Sequence, residues 1–246
     1  MAHEHANVRL DRTGRSSLFA SVLASVIALA MATGAPAADA HSLDELEAEL
    51  ADRERYFQAV DEVAPAFTLA DADGATVRLA DLRGKVVVLH FIYASCRDVC
   101  PLHAELIARV QDMVNQAPMA DSVRFLSITT DPRNDTPDVL RGYGPAHRLD
   151  AANWAFLTIP AGASEDATRR LAQAFGHRFE HTGDGAQVHG VVTHVIDREG
   201  RWRANFHGLR FDPLNLVWFV NALVDDVHGN GRPEPDGFWD RLRRLF

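Results

Sequence analysis

Two cysteines, Cys96 and Cys100, lie four positions apart in the segment FIYASCRDVCPLH, residues 91–103. An apolar run precedes the pair, and Pro101 and His103 follow it. Two thiols at this spacing can form a structural disulfide, can act as a reversible dithiol–disulfide couple, or can bind a soft metal ion. The elements around the pair and the compartment of the protein are needed to choose among these uses.

The N-terminal residues predict export. Three arginines precede the apolar run LFASVLASVIALAMA, residues 18–32, and the next eight residues end in Ala38-Asp39-Ala40. This pattern is typical of a secretory signal peptide over residues 1–40, with cleavage after Ala40. The run is shorter than the roughly 20 residues of a spanning helix. An uncleaved anchor, which would hold the protein at a membrane, stays the alternative. We expect a periplasmic location, or one on the outer face of the cytoplasmic membrane, where two thiols tend to form a disulfide.

Composition limits the partners. The chain has 246 residues, of which 47% are hydrophobic and 24% charged, as in ordinary globular proteins. Its formal net charge is −9, and residues 1–40 hold equal numbers of basic and acidic side chains, so cleavage leaves that charge unchanged. Because nucleic acids and anionic membranes attract basic surfaces, an acidic protein is not expected to bind either one.

The elements alternate between strand and helix. A capping box at Ser42 and Glu45, followed by a leucine stripe, predicts an N-terminal helix over residues 41–62. A globular domain over residues 63–228 and a tail over residues 229–246 follow; the tail is either loose or a short amphipathic helix. The domain is predicted to open with a hairpin around Asp73-Gly74, and its later elements are a buried strand at 85–93, a helix from Pro101 to about 116, strands at 122–130 and 153–159, helices from Pro137 and over 164–175, a hairpin around residues 198–200, and a final helix from Pro213.

This order predicts an α/β fold of the thioredoxin type: a mixed central sheet with helices on both faces and an N-terminal hairpin extension. The cysteines fall between a buried strand and the start of a helix. The unpaired N–H groups and the dipole of a helix N-terminus favour thiolate over thiol. A structural disulfide does not need this placement, so the placement favours a redox or a metal-binding role.

The chain resembles the Sco/SenC family in three segments: CRDVCP at 96–101, TTDPRNDTPDVLRGY at 129–143 and VHGVVTHVIDREG at 188–200. That family consists of exported thioredoxin-like copper carriers that help to assemble the dinuclear copper centre of cytochrome c oxidase. The resemblance implies that copper is bound by Cys96, Cys100 and His189, as Cu(I) in preference to Cu(II). It also implies an oxidase copper-bearing subunit or another periplasmic copper carrier as the partner.

Two acids are candidate supporting residues in this resemblance. Asp98 lies between the cysteines, and Asp131 corresponds to the aspartate of the Asp-Pro segment. Two thiolates and an imidazole suit the soft Cu(I) ion, which accepts three ligands. Structural zinc would need a fourth ligand, for which His103 or Asp98 would have to serve. We expect His103 to be solvated or to face a partner, and His194 to be an interior histidine.

Enzymatic functions receive less support. A peroxiredoxin needs Pro-x-x-x-Thr/Ser-x-x-Cys, and neither cysteine has these residues before it. A thioredoxin-type oxidoreductase normally carries a cis-proline at the position that His189 occupies. We therefore expect a copper metallochaperone and not an enzyme. A thiol–disulfide reductase that acts on the cysteines of the oxidase copper site, and a non-catalytic domain with a structural disulfide, are the alternatives.

Overall fold

A computed structural model of the chain describes residues 43–181, 187–188 and 190–225. The predicted signal peptide, the tail and His189 lie outside these residues. The helices are α1 Leu43–Arg53, α2 Val99–Asn115, α3 Pro137–Ala146, α4 Ala167–Ala174 and α5 Pro213–Asp225. The strands are β1 Phe57–Val63, β2 Thr68–Asp71, β3 Thr76–Arg78, β4 Val86–Ile92, β5 Val123–Thr129, β6 Trp154–Thr158, β7 Glu180–His181, β8 Gln187–Val188, β9 Val192–Ile196 and β10 Arg201–His207.

Eight of these strands form one mixed sheet in the order β1-β10-β9-β4-β5-β6-β2-β3. Strand β4 lies in the middle, parallel to β5 and antiparallel to β9. Every residue of β4 is buried, which explains why its sequence is almost uniformly apolar. The prediction of a central strand covered on both faces is confirmed.

Helices cover both faces of the sheet, as predicted. One hydrophobic layer packs buried side chains of α1, α2, α3 and α5 against the sheet. The layer on the opposite face contains Leu171 and Ala172 of α4 with the neighbouring Phe175. The predicted N-terminal hairpin is also present, because β2 pairs antiparallel with β3 across a turn in which Gly74 has φ +81°. Only glycine adopts this conformation without strain.

The predicted helix over residues 41–62 is wrong in its second half. Helix α1 ends at Arg53, and β1 pairs antiparallel with β10 at the sheet edge. Buried Glu54 fixes the change of direction, since its carboxylate accepts the N–H groups of Tyr56 at 3.1 Å and Asp212 at 2.9 Å. Phe57 then packs edge-on against two core phenylalanines. The sheet thus begins before the predicted domain boundary at 63.

Two other helix boundaries differ from the prediction. Helix α2 begins at Val99, two residues before Pro101, so Cys100 lies inside its first turn. Helix α4 is shorter at both ends than the predicted 164–175. In the described part of the chain, no helix combines the length and apolar character that crossing a membrane requires.

Candidate metal site

The cysteine pair lies in the connection between β4 and α2, at one edge of the sheet. Cys96 is 8% exposed and Cys100 is 3% exposed, and both are reduced thiols. The N–H of Cys96 donates to the carbonyl oxygen of Tyr93 at 3.1 Å, which closes a tight turn directly after the strand. The sequence therefore places one cysteine in a turn and the other in the first turn of a helix.

The pKa values of the two thiols are shifted in opposite directions. Burial raises the pKa of Cys96, but hydrogen bonds from the backbone of Asp98 and from Cys100 outweigh this effect, and the net pKa lies below the ordinary value. Burial dominates at Cys100, and its pKa is raised well above the ordinary value. The Cys96 thiol therefore loses its proton more readily than the Cys100 thiol.

Two other side chains of this loop bear on the cysteines. Burial and a hydrogen bond with Cys96 raise the pKa of Tyr93 to about 12, so its hydroxyl stays protonated. Asp98 is exposed at the N-cap of α2, and its side chain makes no capping hydrogen bond. Asp98 thus contacts Cys96 through its backbone, whereas the sequence pointed to its carboxylate.

The two aspartates after β5 differ in their contacts. The carboxylate of Asp131 accepts a hydrogen bond from Nδ2 of Asn134 at 2.8 Å within its own turn. Asp135 is buried, and both its carboxylate oxygens accept the N–H of Ala94, at 3.2 and 3.1 Å. The hydroxyl of Thr129 donates to the same carboxylate. Asp135 therefore contacts the residue two positions before Cys96.

The start of β9 lies opposite the end of β4. The antiparallel register pairs Leu89 with His194 and His90 with Thr193. His189, the predicted third ligand, lies outside the described residues, whereas the next residue, Gly190, is described and exposed. The residues that the structure describes contain no group of three His, Cys, Asp or Glu side chains arranged to hold a metal ion.

Comparison with known proteins decides the family. The sequence model of the SCO1/SenC family matches residues 57–217. This chain is a member of the SCO1/SenC family. The match spans the sheet from β1 to the first residues of α5, and both cysteines fall within it.

Individual SCO1/SenC relatives agree with this assignment. The SCO1 protein homolog of Bacillus subtilis (strain 168) is 28% identical over 158 residues, which cover 63% of this chain and 79% of the relative. The solved structure of BsSco, described as a member of the Sco family of cytochrome c oxidase assembly proteins, covers 68% of this chain and 96% of its own at 24% identity, with a TM-score of 0.60. The structure of yeast Sco1 with copper bound covers 73% and 98% at 20% identity, with a TM-score of 0.56. These likenesses confirm the predicted thioredoxin-like fold.

The prediction for His103 in this SCO1/SenC chain is wrong. Its side chain is buried, and its Nε2 lies 2.8 Å from Oγ1 of Thr193. The physical reason is the orientation of α2, which turns His103 towards the sheet and leaves Leu102 52% exposed. His194 is buried as predicted, with Nε2 2.9 Å from His177 Nε2 and Nδ1 2.7 Å from Asn205 Oδ1.

Sequence reasoning missed two groups of the SCO1/SenC site. Thr136 occupies the N-cap of α3, and Asp135 turns into the core. Tyr143 of α3 places its hydroxyl 3.5 Å from the carbonyl oxygen of Cys100. The sequence did contain a signal for Asp135, because it is the second aspartate of the segment DPRNDTP, directly before the helix. No local signal marks Tyr143, since its contact depends on how α3 packs.

Proposed function

We propose that this SCO1/SenC protein binds one copper ion through Cys96, Cys100 and His189 and passes it to the copper-bearing subunit of a cytochrome c oxidase. The observation that carries the proposal is the buried pair of reduced thiols at the β4–α2 junction, where the pKa of Cys96 is lowered. Thiolate sulfur binds Cu(I) strongly. Copper is here the cargo of the protein and not a cofactor of a reaction.

The donor set supports copper over zinc. Two sulfurs and one imidazole make a three-ligand site, which Cu(I) accepts and which Cu(II) can also occupy, whereas structural zinc takes four protein ligands. The sequence offered His103 and Asp98 as a fourth ligand. His103 is buried against Thr193, and Asp98 points its carboxylate to solvent at the helix start. Neither arrangement favours zinc.

The strand register supports His189 as the nitrogen ligand. His90 pairs with Thr193, and β9 runs antiparallel to β4. Continuing this pairing beyond the strand ends would set position 189 opposite Ala94, two residues before Cys96. We therefore expect the imidazole of His189 to reach the cysteine turn, although the residue lies outside the part of the chain that the structure describes.

Two relatives support a role in carrying copper for oxidase assembly. Yeast Sco1 has been solved with copper bound, and BsSco belongs to proteins that assemble cytochrome c oxidase. The predicted signal peptide over residues 1–40 would bring this chain to the same side of the membrane as an exported copper site. We infer that the protein works after export, either in the periplasm or held at the membrane by an uncleaved N-terminus.

Thiol–disulfide exchange is a second candidate function. A low-pKa thiol beside a high-pKa thiol suits a dithiol that attacks a partner disulfide with one sulfur and resolves the mixed disulfide with the other. Cys96 and Cys100 have this asymmetry. The reductase would act on the same oxidase cysteines that receive copper. The two functions would therefore share a partner, and they differ in whether copper is delivered or a disulfide is reduced.

The test of copper binding is a Cu(I) titration of the reduced protein against a competing chelator, followed by X-ray absorption. We expect one copper ion per chain, with two sulfurs and one nitrogen at bonding distance. Cys96→Ser and Cys100→Ser should each abolish tight binding, because one thiolate with one imidazole holds Cu(I) weakly. Ser95→Ala, an exposed change in the same turn, is the matched control and should bind normally.

Full copper stoichiometry in either cysteine variant would rule out the pair as the site. Absence of retained copper in the wild-type protein would favour the reductase function instead. Delivery is tested separately, by mixing the copper-loaded protein with the soluble copper-bearing domain of an oxidase. Copper should move to that domain, and a domain that stays empty would contradict the proposed delivery.

A further inference from the structure

Asp135 is a buried acid outside the proposed ligand set. Its side chain is 2% exposed, and it accepts hydrogen bonds from the backbone of Ala94 and from the hydroxyl of Thr129. Ala94 follows the end of β4, Thr129 ends β5, and Pro137 begins α3 two residues after Asp135. One carboxylate thus connects three elements at the edge of the sheet where the cysteines lie.

A buried carboxylate is an unusual choice for a structural connection. Charged side chains lose hydration on burial, and a neutral asparagine or serine could also accept the N–H of Ala94. Here burial raises the pKa of Asp135, while the hydrogen bonds from Thr129 and Ala94 act in the opposite direction. Buried acids held by several donors beside a reactive centre are candidates for a functional role.

The contacts lead from Asp135 to both cysteines. Ala94 lies inside the turn that the bond from the Cys96 N–H to the Tyr93 carbonyl closes, so fixing Ala94 fixes the direction in which Cys96 leaves the strand. Helix α3, which starts next to Asp135, carries Tyr143, whose hydroxyl lies against the Cys100 carbonyl. Asp135 and the helix that follows it therefore contact the turn before Cys96 and the carbonyl of Cys100.

We propose that Asp135 is the positioning residue of the cysteine pair, and that it holds the two sulfurs at the spacing that a copper ion needs. Asp131, the aspartate that the family resemblance selects, accepts a hydrogen bond from Asn134 within its own turn, whereas Asp135 bonds the cysteine connection directly. The effect on copper rests on the proposed function, whereas the effect on the geometry of the pair does not.

The experiment compares Asp135→Asn with Asp138→Asn, the matched control, whose exposed carboxylate pairs with Arg141 in the first turns of α3. Asparagine has nearly the same shape as aspartate, but its amide NH2 cannot accept a hydrogen bond, so Ala94 or Thr129 loses its acceptor. Loss of an outer partner of a metal ligand typically costs 10–100-fold in metal affinity. We expect Asp135→Asn to lower Cu(I) affinity about 10–100-fold and to change the thiolate-to-copper charge-transfer band of the Cu(II) form. Asp138→Asn should change neither.

Thr129→Val is a second variant, which removes one donor to Asp135 and keeps the carboxylate. Thr129→Val should shift the charge-transfer band in the same direction as Asp135→Asn but by a smaller amount. It keeps the proposal testable if Asp135→Asn does not fold. Cu(I) affinity of Asp135→Asn within twofold of wild type would overturn the proposal. An equal loss in Asp138→Asn would overturn it as well, and so would an unchanged band in Thr129→Val.

A metal-free measurement separates this proposal from copper binding. The equilibrium of the Cys96–Cys100 disulfide with glutathione should shift towards the dithiol in Asp135→Asn, because a loosened turn no longer holds the sulfurs together. Asp138→Asn should keep the wild-type equilibrium. If the wild-type protein binds no copper, the proposed function fails while this shift still supports the role of Asp135. An unchanged equilibrium in Asp135→Asn would refute it.

Discussion

At the scale of single residues, the contacts of the ring nitrogens show which histidines are structural. Both nitrogens of His194 lie within hydrogen-bond distance of buried partners, His177 and Asn205. Nε2 of His103 lies against Thr193 in the core. A metal ion could take either nitrogen of His194 only after breaking a buried hydrogen bond. Burial and these contacts give both residues a structural role, which the sequence predicted for His194 but not for His103.

The first prediction concerns His194→Ala and His189→Ala. His194→Ala leaves buried partners without a hydrogen bond, so we expect it to lower the free energy of unfolding by roughly 1–3 kcal/mol and to leave copper stoichiometry unchanged. His189→Ala should lose tight copper binding and keep the stability of the wild type. Urea unfolding and Cu(I) titration of both variants provide the check. Copper loss in His194→Ala with retention in His189→Ala would reverse the ligand assignment.

At the scale of elements, local signals predicted most of the fold. Strands β4, β5 and β6 are marked by runs of β-branched and aromatic residues, and Pro137 and Pro213 mark helix starts. Strand β1 was missed because its pairing with β10 and the contacts of Glu54 come from distant parts of the chain. The same division holds at the site. The cysteines lie only four positions apart in sequence, whereas Asp135 and the Ala94 that it bonds are separated by 41 positions.

The second prediction uses two glycines of α3 with different surroundings. A Cβ added at Gly144 would overlap the ring of Trp154 on β6, with Cη2 at 2.9 Å, whereas a Cβ at Gly142 would meet nothing within 4 Å. Alanine is favoured over glycine inside a helix by about 1 kcal/mol. Gly142→Ala should therefore stabilise the protein by up to about 1 kcal/mol. Gly144→Ala should destabilise it by about 1–3 kcal/mol, because overlap in a packed core outweighs propensity.

Thermal and urea unfolding of these two variants test the packing of α3 on β6. Because α3 also carries Tyr143, Gly144→Ala should weaken copper binding, while Gly142→Ala leaves it unchanged. Equal stability of the two variants would show that Trp154 does not pack against this helix as described.

At the scale of the whole molecule, both hydrophobic layers contain a buried imidazole. His90 points towards α2, where its ring lies 4.7 Å from that of His103 and its Nε2 lies 3.0 Å from Oγ of Ser127. His194 lies in the opposite layer, where its ring packs against Phe91 and Phe175. Burial lowers the pKa of His90 to about 3, and burial followed by the neighbouring His177 lowers that of His194 well below 6.5. Both rings are neutral in the folded protein.

The third prediction is that acid destabilises the metal-free protein already below pH 6.5. Both histidines have folded-state pKa values below the unfolded value of about 6.5, so the unfolded chain binds more protons. Their contribution to stability is fully present above pH 6.5 and is lost as the pH falls below it. The loss of unfolding free energy per histidine approaches about 1.4 kcal/mol per pH unit once the pH is well below 6.5. Urea unfolding between pH 7.5 and about 5, where ordinary carboxyl groups remain largely ionised, measures this slope.

His90→Gln, which can still bond Ser127, should reduce the slope by the contribution of one histidine. A slope that the variant leaves unchanged, or stability that rises on acidification in this range, would show that the buried rings take up protons without unfolding.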